Sequence, residues 1–283
     1  MQPTTEYSSY LPVGQEDDTR LKALGSVWNP ISIEWLSRNV KTVSPGKLTM
    51  LEVGCGNNTL VQQYAALNLN GDFTCVDTSE LQIETAKTNL EGTGLINIAF
   101  KVEKVENLDK WDEVYKVVHC RYLLSHIGTD IGKAVDNMLS RVEPGGVLVV
   151  EELSDDLSAD SSDIPDLENC ITAGRQLISL AGNTYDATKV VIDHIKKQNY
   201  HWEQRKVDLS IVTQEQKSFF RQGAEKMSAV FTNSNREDIF AMLGYKSGQE
   251  WISNLKRWEL DPETSGVIKN YTQIAIFRPC LQG

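Results

Sequence analysis

Leu48-Thr49-Met50-Leu51-Glu52-Val53-Gly54-Cys55-Gly56-Asn57-Asn58-Thr59-Leu60, followed by Phe73-Thr74-Cys75-Val76-Asp77, is the stretch that decides the fold. A short apolar run enters a glycine turn and then a helix. A second apolar run ends in an acid. This is the front half of a nucleotide-binding βαβ unit. Glycine reaches positive φ without strain and lets a ligand come close to the backbone. An acid about 20 residues beyond the turn can accept both ribose hydroxyls, and Asp77 stands at that distance.

The turn does not suit a pyrophosphate. Glu52 would repel it, no basic residue lies in the turn, and Thr59 occupies the place of the third glycine in G-x-G-x-x-G. A cationic ligand carrying an amine tolerates Glu52 and is neutralised by it. The segment resembles the first motif of the class I S-adenosylmethionine-dependent methyltransferases, acid-x-Gly-x-Gly-x-Gly. Glu52, Gly54 and Gly56 match it, and Asn58 stands where the third glycine is usual. Asn tolerates the left-handed region better than most residues. The resemblance implies S-adenosylmethionine as cofactor and S-adenosylhomocysteine as product. It implies a Rossmann-like α/β fold, with a seven-stranded, mostly parallel sheet, helices on both faces and a helical cap.

Outward from this motif, strands and helices alternate, as a parallel sheet requires. Helical periodicity covers Asp17 to Val40, with an interruption expected near Pro30. Further strands are expected at 96–102, 114–120 and 147–152, with helices at 79–91 and 131–142 between them. The acidic stretch 151–168 reads as a loop. Helices follow at 167–181 and 187–198, then an edge strand at 200–209 and a final strand at 271–277. The segment of about 60 residues between those two is too long for a bare loop. Residues 1–46 are therefore expected to form an N-terminal helical cap segment. Residues 47–283 would form the Rossmann-like domain, with cap insertions at about 160–185 and 214–260.

The resemblance carries cofactor roles onto particular residues. Glu52, Gly54, Cys55 and Gly56 would meet the methionine and ribose portions, Asp77 the ribose hydroxyls, and Thr78 the adenine. After the third strand, Lys104 stands where an acid often receives the adenine amine. Lysine cannot accept a hydrogen bond, so Glu103, a backbone group or water would take that part, and Val105 would supply an amide. Cys120 would offer its backbone to the methionine end, and Arg121 would pair with a carboxylate or a substrate anion. His126 is a candidate general base with a pKa near neutrality, and Arg121 is grouped with it as catalytic. Tyr10, Tyr122, His126 and Glu152 are candidate substrate contacts. Trp28, Trp202, Trp251 and Trp258 line either a pocket or the core. His119 lies within a strand and is expected to be buried.

Composition narrows the partners. The chain has 283 residues and a net charge of −11, which argues against a nucleic-acid backbone as partner. Its five cysteines are scattered with no C-x-x-C, so no metal site or disulfide framework is expected. No signal peptide or membrane span is apparent, and a reducing cytoplasm is the natural compartment. A homodimer is compatible with these features. The expected activity is methylation of a small molecule at O, N or C. The alternatives are a protein methyltransferase and a non-methylating cofactor-binding protein.

Overall fold

The computed structural model describes residues 13–43, 46–127, 130–160 and 166–280. Five parallel strands form the centre of one sheet: β1 (Thr49–Val53), β2 (Asp72–Asp77), β3 (Ile98–Val102), β4 (Tyr115–Arg121) and β5 (Val142–Glu152). Their order is β3-β2-β1-β4-β5. The order reverses between β1 and β4, and ligands bind at the carboxyl ends of strands flanking such a switch. The alternation of side chains sorts the two faces. Leu51, Val53, Val118 and Val150 pack in one cluster beneath α4 (Ile131–Ser140) and α6 (Ala187–Lys197). Met50, Val117 and Val149 pack on the other face with Trp35, Leu36 and Tyr64. Those partners come from α1 (Gln15–Val40) and α2 (Thr59–Leu67). Between β2 and β3 runs α3 (Glu80–Leu90), whose N-cap Ser79 accepts from the Gln82 amide.

Among the described residues the sheet has eight strands, one more than expected. The last strand, β8 (Gly266–Phe277), runs antiparallel to β5, and β7 (His201–Ile211) pairs along its other edge. Pairing with β5 stops at Thr272, which leaves the first half of β8 open on that side. β6 (Ser158–Asp160) fills the gap against Val267–Lys269. Its sequence, Ser-Ala-Asp, has no apolar alternation, so the strand was hidden in a stretch that reads as an acidic loop.

A third apolar cluster forms the cap. It joins Val27 and Trp28 of α1 to α5 (Asp166–Leu180), α7 (Gln214–Asn233), α8 (Asp238–Met242) and α9 (Gly248–Leu260). Trp251 and Trp258 are buried within it, whereas Trp202 lies half-buried against the α6 face.

α1 is continuous through Pro30, contrary to the expected interruption. Proline cannot donate to the carbonyl four residues back, which here is Ser26. Gln216 Nε2 donates to that oxygen instead, at 3.3 Å. Gln216 also closes the capping box of α7 with Thr213, so one side chain replaces the missing bond and starts a cap helix. Gln216→Ala is expected to lower the free energy of unfolding by about 1–2 kcal/mol, the combined cost of a lost cap and an unpaired carbonyl. Urea denaturation would measure this, and a loss under about 0.5 kcal/mol would show that α1 does not need the donor.

Candidate active site

A cavity of about 340 Å³ opens at the carboxyl ends of β1 and β4 and extends under the cap. Glu52, Gly54, Cys55, Gly56, Arg121, Tyr122 and His126 all line it. Gly54 and Gly56 have φ of 75° and 52°, which explains glycine in the turn, and Asn58 is left-handed at φ 66°. α1 contributes Arg20, Leu21, Leu24 and Trp28, spaced to fall on one helical face.

Beside the cavity a row of polar side chains crosses the sheet on the α1 face. Glu52 on β1 is the register partner of His119 on β4. His119 Nδ1 lies 2.6 Å from Glu52 Oε2, and its Nε2 lies 3.3 Å from Glu151 Oε1 on β5. Glu151 Oε2 accepts from Ser32 Oγ at 2.7 Å and from the Tyr271 hydroxyl at 3.0 Å. Arg121 donates to Ser32 Oγ and to Asn29 Oδ1, both at 2.9 Å. Burial opposes a charge on His119, but Glu52 and Glu151 outweigh it and hold its pKa up at about 9. Burial pushes the Glu151 carboxyl up, and His119, Arg121 and Ser32 more than offset it, so it stays below its ordinary value. His119 is thus buried, as its place in a strand implies. The sequence reading missed that it carries charge and that it bridges two acids. The available signal was a cluster of polar residues, Asn29 and Ser32, on a helix whose neighbours Trp28 and Trp35 face the core.

His126 does not have the near-neutral pKa expected of it. Burial first, then the nearby Arg20, lowers it to about 4, so the imidazole is uncharged at neutral pH. Tyr122 holds a left-handed backbone at φ 51°. Its amide donates to Glu151 O at 2.9 Å, and its ring packs edge-on to Trp28 at 5.6 Å. A bulky residue in this region is strained and needs such surroundings.

Other candidates lie outside the cavity lining. Asp77 accepts from the amides of Gly56 at 3.0 Å and Ser79 at 2.9 Å. Its pKa is raised, because burial outweighs those bonds. Thr78 is exposed beside it. The Glu103 amide donates to Asp77 O at 3.0 Å, which brings the ends of β2 and β3 together. The Glu103 carboxylate accepts from Lys104 N, Asn107 Nδ2 and Trp111 Nε1, so it is already committed locally. Val105 is buried at the start of a short 3-10 helix (Val105–Lys110). Cys120 is fully buried in β4. Glu152, expected as a substrate contact, is fully buried, is not among the residues lining the cavity, and accepts from the Leu124 amide. Burial raises its pKa to about 7. Its neighbour Glu151 is also buried inside β5 rather than in a solvated loop. Tyr10 lies outside the described residues.

A family model described as a methyltransferase domain matches residues 45–227. No curated protein matches the chain. Several solved structures share its fold. A putative methyltransferase from Bacillus halodurans is 14% identical, with 87% of this chain and 98% of that one covered and a TM-score of 0.56. Haemonchus contortus phosphoethanolamine N-methyltransferase 2, solved with phosphomonomethylethanolamine and S-adenosylhomocysteine, is 14% identical, with 97% and 61% covered and a TM-score of 0.55. The [4+2]-cyclase SpnF is 15% identical, with 95% and 98% covered and a TM-score of 0.52. No described helix is long and apolar enough to cross a membrane. A glycine turn opening on a crevice at the sheet's switch point, in a chain whose family model spans more than half its length, makes this protein a class I S-adenosylmethionine-dependent methyltransferase.

Proposed function

We propose that this methyltransferase acts on a small molecule enclosed beneath its cap. The observation that carries the reading is the single cavity that joins Glu52, Gly54, Gly56 and Arg121 to a wall of cap helices. Its volume and its mainly apolar cap-side lining suit a small ligand. The cap in this reading is residues 1–46 with the insertions at about 160–185 and 214–260. The five free cysteines favour the cytoplasm as its compartment.

The residues present fit S-adenosylmethionine. Glu52 and Arg121, of opposite charge and both lining the cavity, suit the ammonium and carboxylate of its amino-acid end. The Gly54-Cys55-Gly56 backbone lies open to it, and Cys120 contributes its main chain. Asp77 would accept the ribose hydroxyls, with Thr78, Glu103, Lys104 and Val105 bordering the adenine. Bound S-adenosylmethionine supplies an activated methyl group on a sulfonium. The protein's part is then mostly positioning the acceptor and excluding water. Tyr122 and His126 line the cavity and are proposed as polar contacts for an acceptor. His126, uncharged at neutral pH with a pKa of about 4, is a weak base there, and its proposed part is to orient an acceptor by hydrogen bonding. Tyr10 is proposed to close over the cofactor.

Calorimetric titration with S-adenosylmethionine, S-adenosylhomocysteine and NAD tests the cofactor contacts. Micromolar affinity for both sulfur ligands and none for NAD is expected. Asp77→Ala is expected to weaken S-adenosylhomocysteine by more than about tenfold, because a charge-assisted contact is lost and Gly56 loses its anchor. Wild-type affinity in that variant would remove Asp77 from the ribose site. Release of S-adenosylhomocysteine on turnover separates methyl transfer from a role without methylation.

A further inference from the structure

The cap half of the cavity differs in chemistry from the strand-end half. Its walls are apolar, with Trp28, Ile171, Leu177, Phe219, Phe220 and Met227 facing the space from α1, α5 and α7. Among the described lining residues, the charged side chains are Arg20, Glu52 and Arg121. Glu52 and Arg121 lie at the strand ends, where the preceding proposal assigns them to the cofactor. Arg20 is the only one of the three on the cap side, and it is already satisfied. Its Nε and Nη2 donate to the two carboxylate oxygens of Asp17 at 2.7 and 2.5 Å, and both residues are buried. A fork-to-fork pair of this kind commits Nε and Nη2 to Asp17 and makes an incoming anion compete with that carboxylate, although the guanidinium charge still reaches His126. A phosphate or carboxylate beneath the cap would therefore lose its hydration without gaining an uncommitted cationic partner. An ammonium would lack an unpaired carboxylate.

Two glycines mark where the space was made. Gly174 lies inside α5 and Gly223 inside α7, and both line the cavity. A glycine inside a helix costs about 1 kcal/mol relative to alanine. Neither has a positive φ that would demand glycine. A Cβ at Gly174 would meet nothing within 4 Å, and one at Gly223 would meet only the tip of Met227 at 4.0 Å. Neither backbone geometry nor packing therefore excludes a larger residue. What the missing side chains provide is volume in the cavity. Trp28 adds one polar feature to this wall: its buried indole N–H has no hydrogen-bond partner among the described residues.

We infer that the methyl acceptor is an uncharged, mainly apolar, ring-sized molecule held between α1, α5 and α7, with Gly174 and Gly223 setting the size it can have. This rests on the reading of the cavity as a methyltransferase site. It excludes carboxylated amines and phosphorylated amines such as the phosphomonomethylethanolamine of the Haemonchus contortus structure.

The test is equilibrium binding to the full chain, with and without saturating S-adenosylhomocysteine, using 1-naphthol, phosphoethanolamine and sarcosine as probes. 1-Naphthol is expected to bind at least tenfold more tightly than either amine. Gly174→Leu and Gly223→Leu are expected to weaken 1-naphthol at least tenfold while S-adenosylhomocysteine stays within twofold of wild type. Gly174→Ala and Gly223→Ala serve as controls for folding and are expected to raise Tm. Tighter binding of phosphoethanolamine or sarcosine, unchanged 1-naphthol affinity in both leucine variants, or no binding of any probe would each overturn the inference. If S-adenosylhomocysteine fails to bind but 1-naphthol binds and the leucine variants lose it, the apolar compartment stands and the cofactor reading falls.

Discussion

His119→Leu is expected to lower the free energy of unfolding by about 3–5 kcal/mol at pH 7, the typical cost of stranding a buried charge. The imidazole sits fully buried between Glu52 and Glu151. Leucine fills a similar volume, so the cavity term is small. What is lost is the cation that lets two carboxylates remain ionised out of water. Arg121 already supports Glu151 through its charge, but Ser32 and Asn29 hold its guanidinium, so it does not replace the bonds His119 makes to Glu52 and Glu151. The deficit is expected to be smaller at pH 5 than at pH 7, because acid favours neutralising the Glu151 carboxyl once His119 no longer holds it down. Urea denaturation at the two pH values measures both effects. A deficit under about 1 kcal/mol at pH 7 would mean that the row is held by packing and not by charge.

The second large effect is the pH dependence of stability in the unaltered protein. His119 has a folded pKa of about 9, above its ordinary 6.5. The folded state therefore keeps a proton that the unfolded chain releases. The resulting stability is fully present below about pH 6.5 and is lost as pH rises through 9. The loss from this one group is on the order of 3 kcal/mol. Glu152 acts in the same direction but in a lower window. Its folded pKa of about 7 lies above the ordinary 4.5, so its contribution declines between those two values. His126 acts oppositely, since its depressed pKa of about 4 makes folding weaken as pH falls from about 6.5 towards 4. Between pH 7 and 9, His119 is expected to dominate. A denaturation series across that window should show stability falling in the wild type and a much flatter profile in His119→Leu. Parallel profiles would show that His119 is not the group responsible.

The same row explains how the cofactor crevice and the cap are connected. Glu52 lines the cavity and bonds to His119. Through Glu151 and Ser32 the bonds reach α1, and α1 carries Arg20, Leu24 and Trp28 into the cavity wall. By its chemistry alone, Pro30 removes a backbone hydrogen bond from that helix at this junction. Gln216 keeps it whole, so the helix that anchors the polar row also forms part of the cavity wall.

Much of this protein was legible in its sequence because short-range rules govern those parts. The glycine turn, the acid at Asp77, the left-handed Asn58, and the alternation of apolar strands with helices each depend on residues a few positions apart. Backbone conformation and hydrophobic period suffice to read them. Tertiary structure alone decided the rest. Ser158–Asp160 became a strand because β8 offered an open edge, not because of its composition. Glu151 and Glu152 became buried acids because β5 runs on to its end covered on both faces, with Ser32 of α1 bonded to one and the Leu124 amide to the other. The His126 pKa fell with its desolvation, which no local pattern encodes. The Glu52–His119–Glu151 row joins residues 67 and 32 positions apart. Parallel register places them side by side, and whether a buried ionisable group is charged depends on the neighbours that the register supplies.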